Sequence, residues 1–128
     1  MSPAGRHGTK MLIVDDERTI TDTLCMIFEY CGFDCLKAYD AEKALEIGMQ
    51  TPPALLLTDV MLPGMNGVQL AIKLGEQFPA IKTILLSGQA GTASLLDDAK
   101  AKGYDFEIVA KPVHPRELIE CINKRLNR

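Results

Sequence analysis

The stretch Leu55-Leu56-Leu57-Thr58-Asp59 does most to restrict how this chain folds. Side chains alternate across a sheet, so three consecutive leucines cannot all point to one buried face of a strand. They require a strand covered on both faces, as in the middle of a parallel sheet. The strand runs into an aspartate and then into a Pro63-Gly64 turn. A carboxylate at the carboxyl end of a central strand lies where open α/β sheets bind ligands. Aspartates also cap ordinary loops. The meaning of Asp59 therefore depends on what surrounds it.

Four further short apolar runs read as strands. Lys10 to Val14 ends in Asp15-Asp16-Glu17, and Asp34 to Ala38 is shorter and less apolar. Thr83 to Ser87 carries Ile84, Leu85 and Leu86, and Phe106 to Ala110 is stopped by Pro112. Between them the apolar period changes to that of helices. Ile20, Leu24, Ile27, Phe28 and Cys31 define the first helix, which Gly32 ends. Asp40 is the N-cap of the second, whose predicted apolar face is Ala41, Ala44, Leu45 and Met49. Asn66 caps the third, with Leu70, Ala71, Leu74 and Phe78 inward and Pro79 as its stop. A fourth, about Ala93 to Lys102, is the poorest: only Leu95, Leu96 and Ala99 are available for burial. It follows a loop at Gly88 to Thr92. Pro115 opens the fifth, which buries Leu118, Ile119, Ile122 and Leu126.

Strands that alternate with helix-length crossovers pair in parallel, and right-handed crossovers place helices on both faces. The expected fold class is α/β, a doubly wound five-stranded parallel sheet. At 128 residues the chain suffices for one core. The expected organisation is a flexible tail at 1–9 and one domain at 10–128, with no second domain. The net charge of -3 and the lack of a basic run give no footprint for nucleic acid. No apolar run approaches the ~18 residues that span a bilayer. Cys25, Cys31, Cys35 and Cys121 form no Cys-x-x-Cys pair and no zinc spacing with histidine. Reduced, buried thiols in a cytoplasmic protein are expected. His7 lies in the tail and is assigned no role.

Four strand ends carry polar side chains: Asp15 and Asp16, Asp59, Ser87, and Lys111. In a parallel sheet all carboxyl ends share one edge, so these groups can converge. Three carboxylates cannot all stay ionised together without a cation. Oxygen ligands without cysteine or histidine favour a hard ion, Mg²⁺ before Ca²⁺. A carboxylate, a Mg²⁺ ion, a lysine and a hydroxyl are the parts that stabilise a phosphoryl group in transfer. Each part alone is weak evidence; Asp-Asp after a strand is often a solvated turn.

The motifs Asp15-Asp16-Glu17, Asp59-Val60-Met61-Leu62-Pro63 with Gly67, Ser87-Gly88 and Lys111-Pro112 resemble those of response regulator receiver domains of two-component signalling. The resemblance runs from Lys10 to Asn127, and the chain is similar to single-domain, chemotaxis-type members. It implies sheet order 2-1-3-4-5 in a flavodoxin-like three-layer sandwich. It implies Asp59 as phosphoacceptor, with Mg²⁺ held by Asp16, Asp59 and the Met61 backbone carbonyl, and by Asp15 through water. Ser87 would hydrogen-bond a phosphoryl oxygen and Lys111 would pair with the phosphoryl group. It further implies a cis Lys111-Pro112 bond. The partners implied are a sensor histidine kinase or phosphotransfer protein, which donates from a phosphohistidine, and a downstream protein target. Neither nucleic acid nor membrane is expected to bind this domain. In place of the family's usual Tyr or Phe switch residue, this chain has Ile108. Response is then expected through Ser87, the loop after it and the fourth helix, with Ile108 adjusting by packing. The surface of helix 4, strand 5 and helix 5 would be read by the target.

Three other readings compete. A receiver-fold interaction module without phosphate control would typically lack one or more of Asp15, Asp16, Asp59, Ser87 and Lys111. An aspartyl Mg²⁺ phosphatase would want Asp-x-Asp after the first strand. A flavin carrier would want a Ser/Thr/Gly-rich loop there, where Asp15-Asp16-Glu17 repels phosphate.

Overall fold

The computed structural model describes residues 8–88, 93–104 and 106–126. The expected tail lies outside them as far as residue 7, as do residues 89–92 of the loop after Ser87. In chain order the elements are β1 (Lys10–Val14), α1 (Arg18–Tyr30), β2 (Asp34–Ala38), α2 (Ala41–Gln50), β3 (Leu55–Asp59), α3 (Gly67–Gln77), β4 (Lys82–Ser87), α4 (Ala93–Ala101), β5 (Glu107–Ala110) and α5 (Pro115–Leu126). The strands form one sheet in the order β2-β1-β3-β4-β5, and every pairing is parallel. The chain builds outward from β1 to β2 on one side and to β3 on the other. The switch point between β1 and β3 opens a crevice at the carboxyl edge.

Alternation divides the strand residues between two cores. Met11, Ile13, Leu55, Leu57, Ile84 and Leu86 pack with Leu24, Cys25 and Phe28 of α1 and Leu118 and Ile122 of α5. Leu12, Val14 and Leu56 pack on the other face with Ala41 and Ala44 of α2 and Leu70, Ala71 and Leu74 of α3. Leu85 joins Val60, Val68 and Ala99 in a third cluster beneath α4. Leu55, Leu56 and Leu57 are wholly buried. Each contributes about 1.5–3 kcal/mol through burial, which explains why β3 sits at the centre of the sheet.

The helix ends follow local chemistry. Asp40 accepts a hydrogen bond from the Lys43 backbone N–H at 2.7 Å and caps α2. Asn66 and Gln69 form a reciprocal capping box on α3, at 2.9 and 3.0 Å. Gly32 and Gly103, past the ends of α1 and α4, have φ of 99° and 91°, where an L side chain is strained.

Three expectations change in detail, and a fourth holds. Met49 is 44% exposed and does not belong to the buried face of α2. Gly48 takes that place, with the Leu74 side chain where a Cβ would stand. Cys35 and Cys121 are half-buried, whereas Cys25 and Cys31 are buried; all four are free thiols. Phe106 precedes β5 and stacks on Tyr104 with ring centroids 5.6 Å apart. The Lys111-Pro112 bond is cis, as the resemblance implied.

Candidate functional site

Strand register brings the site together. Val14 pairs with Thr58, so Asp15 and Asp59 emerge side by side, one residue further along. Asp59 pairs with Leu86, which places Ser87 one step beyond it. Ser87 in turn pairs with Ala110, and the Lys111 backbone N–H donates to the Ser87 carbonyl at 3.0 Å. Residues far apart in sequence thus meet at one edge because the parallel ladder fixes their level.

Asp15 is 1% and Asp59 7% exposed, while Asp16 turns outward into solvent. Carboxylate oxygens of the three lie within 4.8 Å of one another. Lys111 Nζ bridges the two buried aspartates, 3.2 Å from Asp15 Oδ2 and 3.0 Å from Asp59 Oδ2. The remaining oxygens are held locally. Asp15 Oδ1 accepts the Glu17 N–H at 3.0 Å, and Asp59 Oδ1 accepts the Met61 N–H at 3.3 Å. Ser87 is half-buried at the rim and Met61 is 49% exposed. Ile108 is 43% exposed on β5, level with Leu85 and away from the aspartates.

Burial pushes the Asp59 carboxyl above its ordinary range. Lys111 pulls it back and the charge of Asp15 adds to the rise. Burial alone would lower the Lys111 ammonium, but hydrogen bonds and charge from Asp59 and Asp15 outweigh it and hold it above its usual value. Three carboxylates against one ammonium leave a surplus of negative charge in a pocket of oxygen donors. That donor set fits a hard divalent cation such as Mg²⁺.

Two buried hydroxyls escaped the sequence reading. Thr21 Oγ1 donates to the Asp15 carbonyl at 2.7 Å, and Thr58 Oγ1 to the Asp59 carbonyl at 3.0 Å. The available signal was position: Thr21 falls in register with the buried Leu24, Cys25 and Phe28 stripe of α1. At the rim, the Arg18 guanidinium lies 4.0 Å over the Tyr39 ring, and the Tyr39 hydroxyl donates to Asp22 at 2.6 Å. An apolar groove of about 290 Å³ begins at Lys111 and runs along α1 past Ile20, Leu24 and Ile27.

The chain is similar in sequence and fold to known proteins. Residues 11–123 match the response regulator receiver domain family. The chain is 34% identical over 126 residues to the phosphate regulon transcriptional regulatory protein PhoB of Pseudomonas aeruginosa, covering 94% of this chain and 53% of that protein. It is 29% identical over 119 residues to the DNA-binding response regulator MtrA of Mycolicibacterium smegmatis, covering 93% of this chain and 51% of that protein. The chain thus spans about half the length of these relatives. A CheY-like receiver domain protein from Methanospirillum hungatei superposes with a TM-score of 0.86 at 32% identity, covering 94% of each chain. With that fold, that edge of carboxylates and that match over most of its length, the chain belongs to the response regulator receiver domains of two-component systems.

Proposed function

We propose that the chain is a phosphorylatable signalling switch in which Asp59 accepts a phosphoryl group from a phosphohistidine of a partner kinase or phosphotransfer protein. The observation that carries this reading is the bridge from Lys111 to the buried Asp15 and Asp59, with Asp16 completing the acidic cluster. An Asp59 carboxylate oxygen attacks phosphorus, an O–P bond forms, and the N–P bond breaks with its electron pair left on the donor imidazole. Lys111 shifts its ammonium from carboxylate to phosphoryl oxygen and offsets the charge arriving there. Ser87 donates its hydroxyl to a second phosphoryl oxygen. Met61 N–H and Lys111 hold the Asp59 carboxylate in orientation beforehand, so little reorganisation is left for the reaction.

Asp16, Asp59 and the Met61 carbonyl would hold Mg²⁺, with Asp15 assisting through water. When bound, the ion supplies neutralising charge to the phosphoryl oxygens. The chain assists its own phosphorylation and dephosphorylation and turns over no separate substrate. The groove beside Lys111 offers apolar surface that a donor protein can cover. Among the described residues no helix is long and apolar enough to cross a membrane. We place the protein in the cytoplasm with its kinase's phosphohistidine. Output is assigned to the surface of α4, β5 and α5, where Ile108 is exposed, and its reader is a downstream protein.

The test is intact mass after incubation with a small acyl phosphate. Wild type should gain one phosphoryl group only when Mg²⁺ is present, and Asp59→Asn should gain none. Full labelling in chelator, or of the variant, would refute the assignment. A fold kept only as an interaction module would show no gain under any condition.

A further inference from the structure

We propose that Thr21 and Thr58 are a matched pair of positioning residues that set the spacing of Asp15 and Asp59 for the cation. The inference rests on the phosphoacceptor reading above. Among the described residues the buried polar or charged groups are Asp15, Thr21, Thr58, Asp59 and Thr83. Two are the site's aspartates, and two are the threonines bonded to those aspartates' main-chain carbonyls. A buried hydroxyl is costly unless it finds a partner. Here each has found the peptide group that carries a site carboxylate.

The two aspartates are held alike. In each, Oδ1 takes the backbone N–H two residues on, Oδ2 takes Lys111, and the carbonyl takes a threonine hydroxyl. The first two contacts orient the carboxylate. The third fixes the peptide plane, and with it the direction in which the Cα–Cβ bond leaves the strand end. Thr21 adds a tether, because it lies on α1 while its acceptor lies at the end of β1. It therefore holds the Asp15-Asp16-Glu17 turn against the sheet. Its hydroxyl is also 3.4 Å from the Glu17 carbonyl, the ordinary intrahelical acceptor, yet its shorter bond goes to Asp15. A β-branched side chain has few χ1 wells, so these bonds are directed and not merely available.

The geometry separates hydroxyl from shape. Valine keeps the volume and loses the hydrogen bond; serine keeps the bond and loses a methyl. The experiment measures Mg²⁺ affinity by isothermal titration calorimetry for wild type, Thr21→Val, Thr21→Ser, Thr58→Val and Thr58→Ser. Melting curves run in parallel, with a protecting osmolyte added where a variant needs it to remain folded. The labelling rate with a small acyl phosphate is then followed against Mg²⁺ concentration. Each valine variant should bind Mg²⁺ about tenfold more weakly, and each serine variant should stay within about twofold of wild type, at the lower end of losses from supporting hydrogen bonds. Saturating Mg²⁺ should restore most of the valine variants' labelling rate. A lowered melting temperature with unchanged Mg²⁺ affinity would reduce both threonines to packing and overturn the proposal. Equal losses in serine and valine variants would do the same, since the fit of the side chain as a whole, and not its hydroxyl, would then be responsible. Wild type that neither binds Mg²⁺ nor is labelled would instead overturn the phosphoacceptor reading. If one valine variant fails to fold, the other decides.

Discussion

An alanine at position 67 would have its Cβ overlap the Asp59 carbonyl oxygen and stand 2.9 Å from that carbonyl's carbon and 3.1 Å from Thr58 Oγ1. None of these atoms is the free end of a flexible side chain. Relief requires the Asp59 peptide or the first turn of α3 to move by on the order of 1 Å, judged from normal non-bonded separations. Overpacking of this kind costs ~3 kcal/mol, the upper part of the usual range, because backbone must shift. Alanine regains up to ~1 kcal/mol through its better helix propensity. The net loss is therefore ~2 kcal/mol, or ~6–10 °C in melting temperature for a domain of this size. Displacing the phosphoacceptor by such a distance should also slow labelling by ~10²-fold. Gly75→Ala is the control, since its Cβ meets only the edge of the Tyr104 ring at 3.1 Å. Urea denaturation gives the stability and acyl phosphate labelling gives the rate. Gly67→Ala within ~0.5 kcal/mol of wild type and labelled at the wild-type rate would show that close approach to Asp59 is not what this glycine provides.

Three further outcomes are expected. Because burial raises the Asp59 pKa in the fold, the folded state holds that proton more tightly than the unfolded chain. Its contribution to stability therefore falls as pH rises from the ordinary carboxylate range through the folded value. Asp59→Asn should stabilise the metal-free protein at neutral pH and flatten that part of the profile; urea melts in chelator showing a less stable variant would contradict this. Lys111→Met leaves two buried carboxylates without their shared ammonium and should cost roughly 1–3 kcal/mol in the metal-free protein. It should keep or strengthen Mg²⁺ binding while slowing labelling ~10²-fold, and loss of Mg²⁺ binding by calorimetry would show the roles misassigned. Finally, phosphorylation should shift amide resonances at Gly88, in α4 and around Ile108, since α4 has Ala99 as its wholly buried apolar anchor. Shifts confined to Asp15, Asp16 and Asp59 would place the output on another face.

Much of the fold was legible because β1, β3 and β4 are buried on both faces, and such strands appear in sequence as unbroken apolar runs. The convergence of Asp15, Asp59, Ser87 and Lys111 was legible for a topological reason: parallel strands send every carboxyl end to one edge. Side-chain detail was less accessible. Asp15 and Asp16 look equivalent in sequence, yet only Asp15 continues the β1 register beside Asp59 and becomes buried. Helical spacing places Met49 inward because it weighs side chains alone. The position that faces α3 is Gly48, which has none and leaves its space to Leu74. Thr21 and Thr58 stayed hidden because a hydroxyl's partner is a matter of three-dimensional placement, as is the bridge that brings Lys111 to Asp15 across 96 residues.

The location of the phosphoryl group is the most direct test of the central claim. Protein labelled in Mg²⁺ with a small acyl phosphate is reduced with borohydride, which converts an aspartyl phosphate to homoserine, and its peptides are then sequenced by mass spectrometry. The expected result is homoserine at position 59 alone, with Asp15, Asp16 and Ser87 unmodified and no conversion in chelator. Label at Asp15, Asp16 or Ser87, or an intact Asp59 in fully labelled protein, would contradict it.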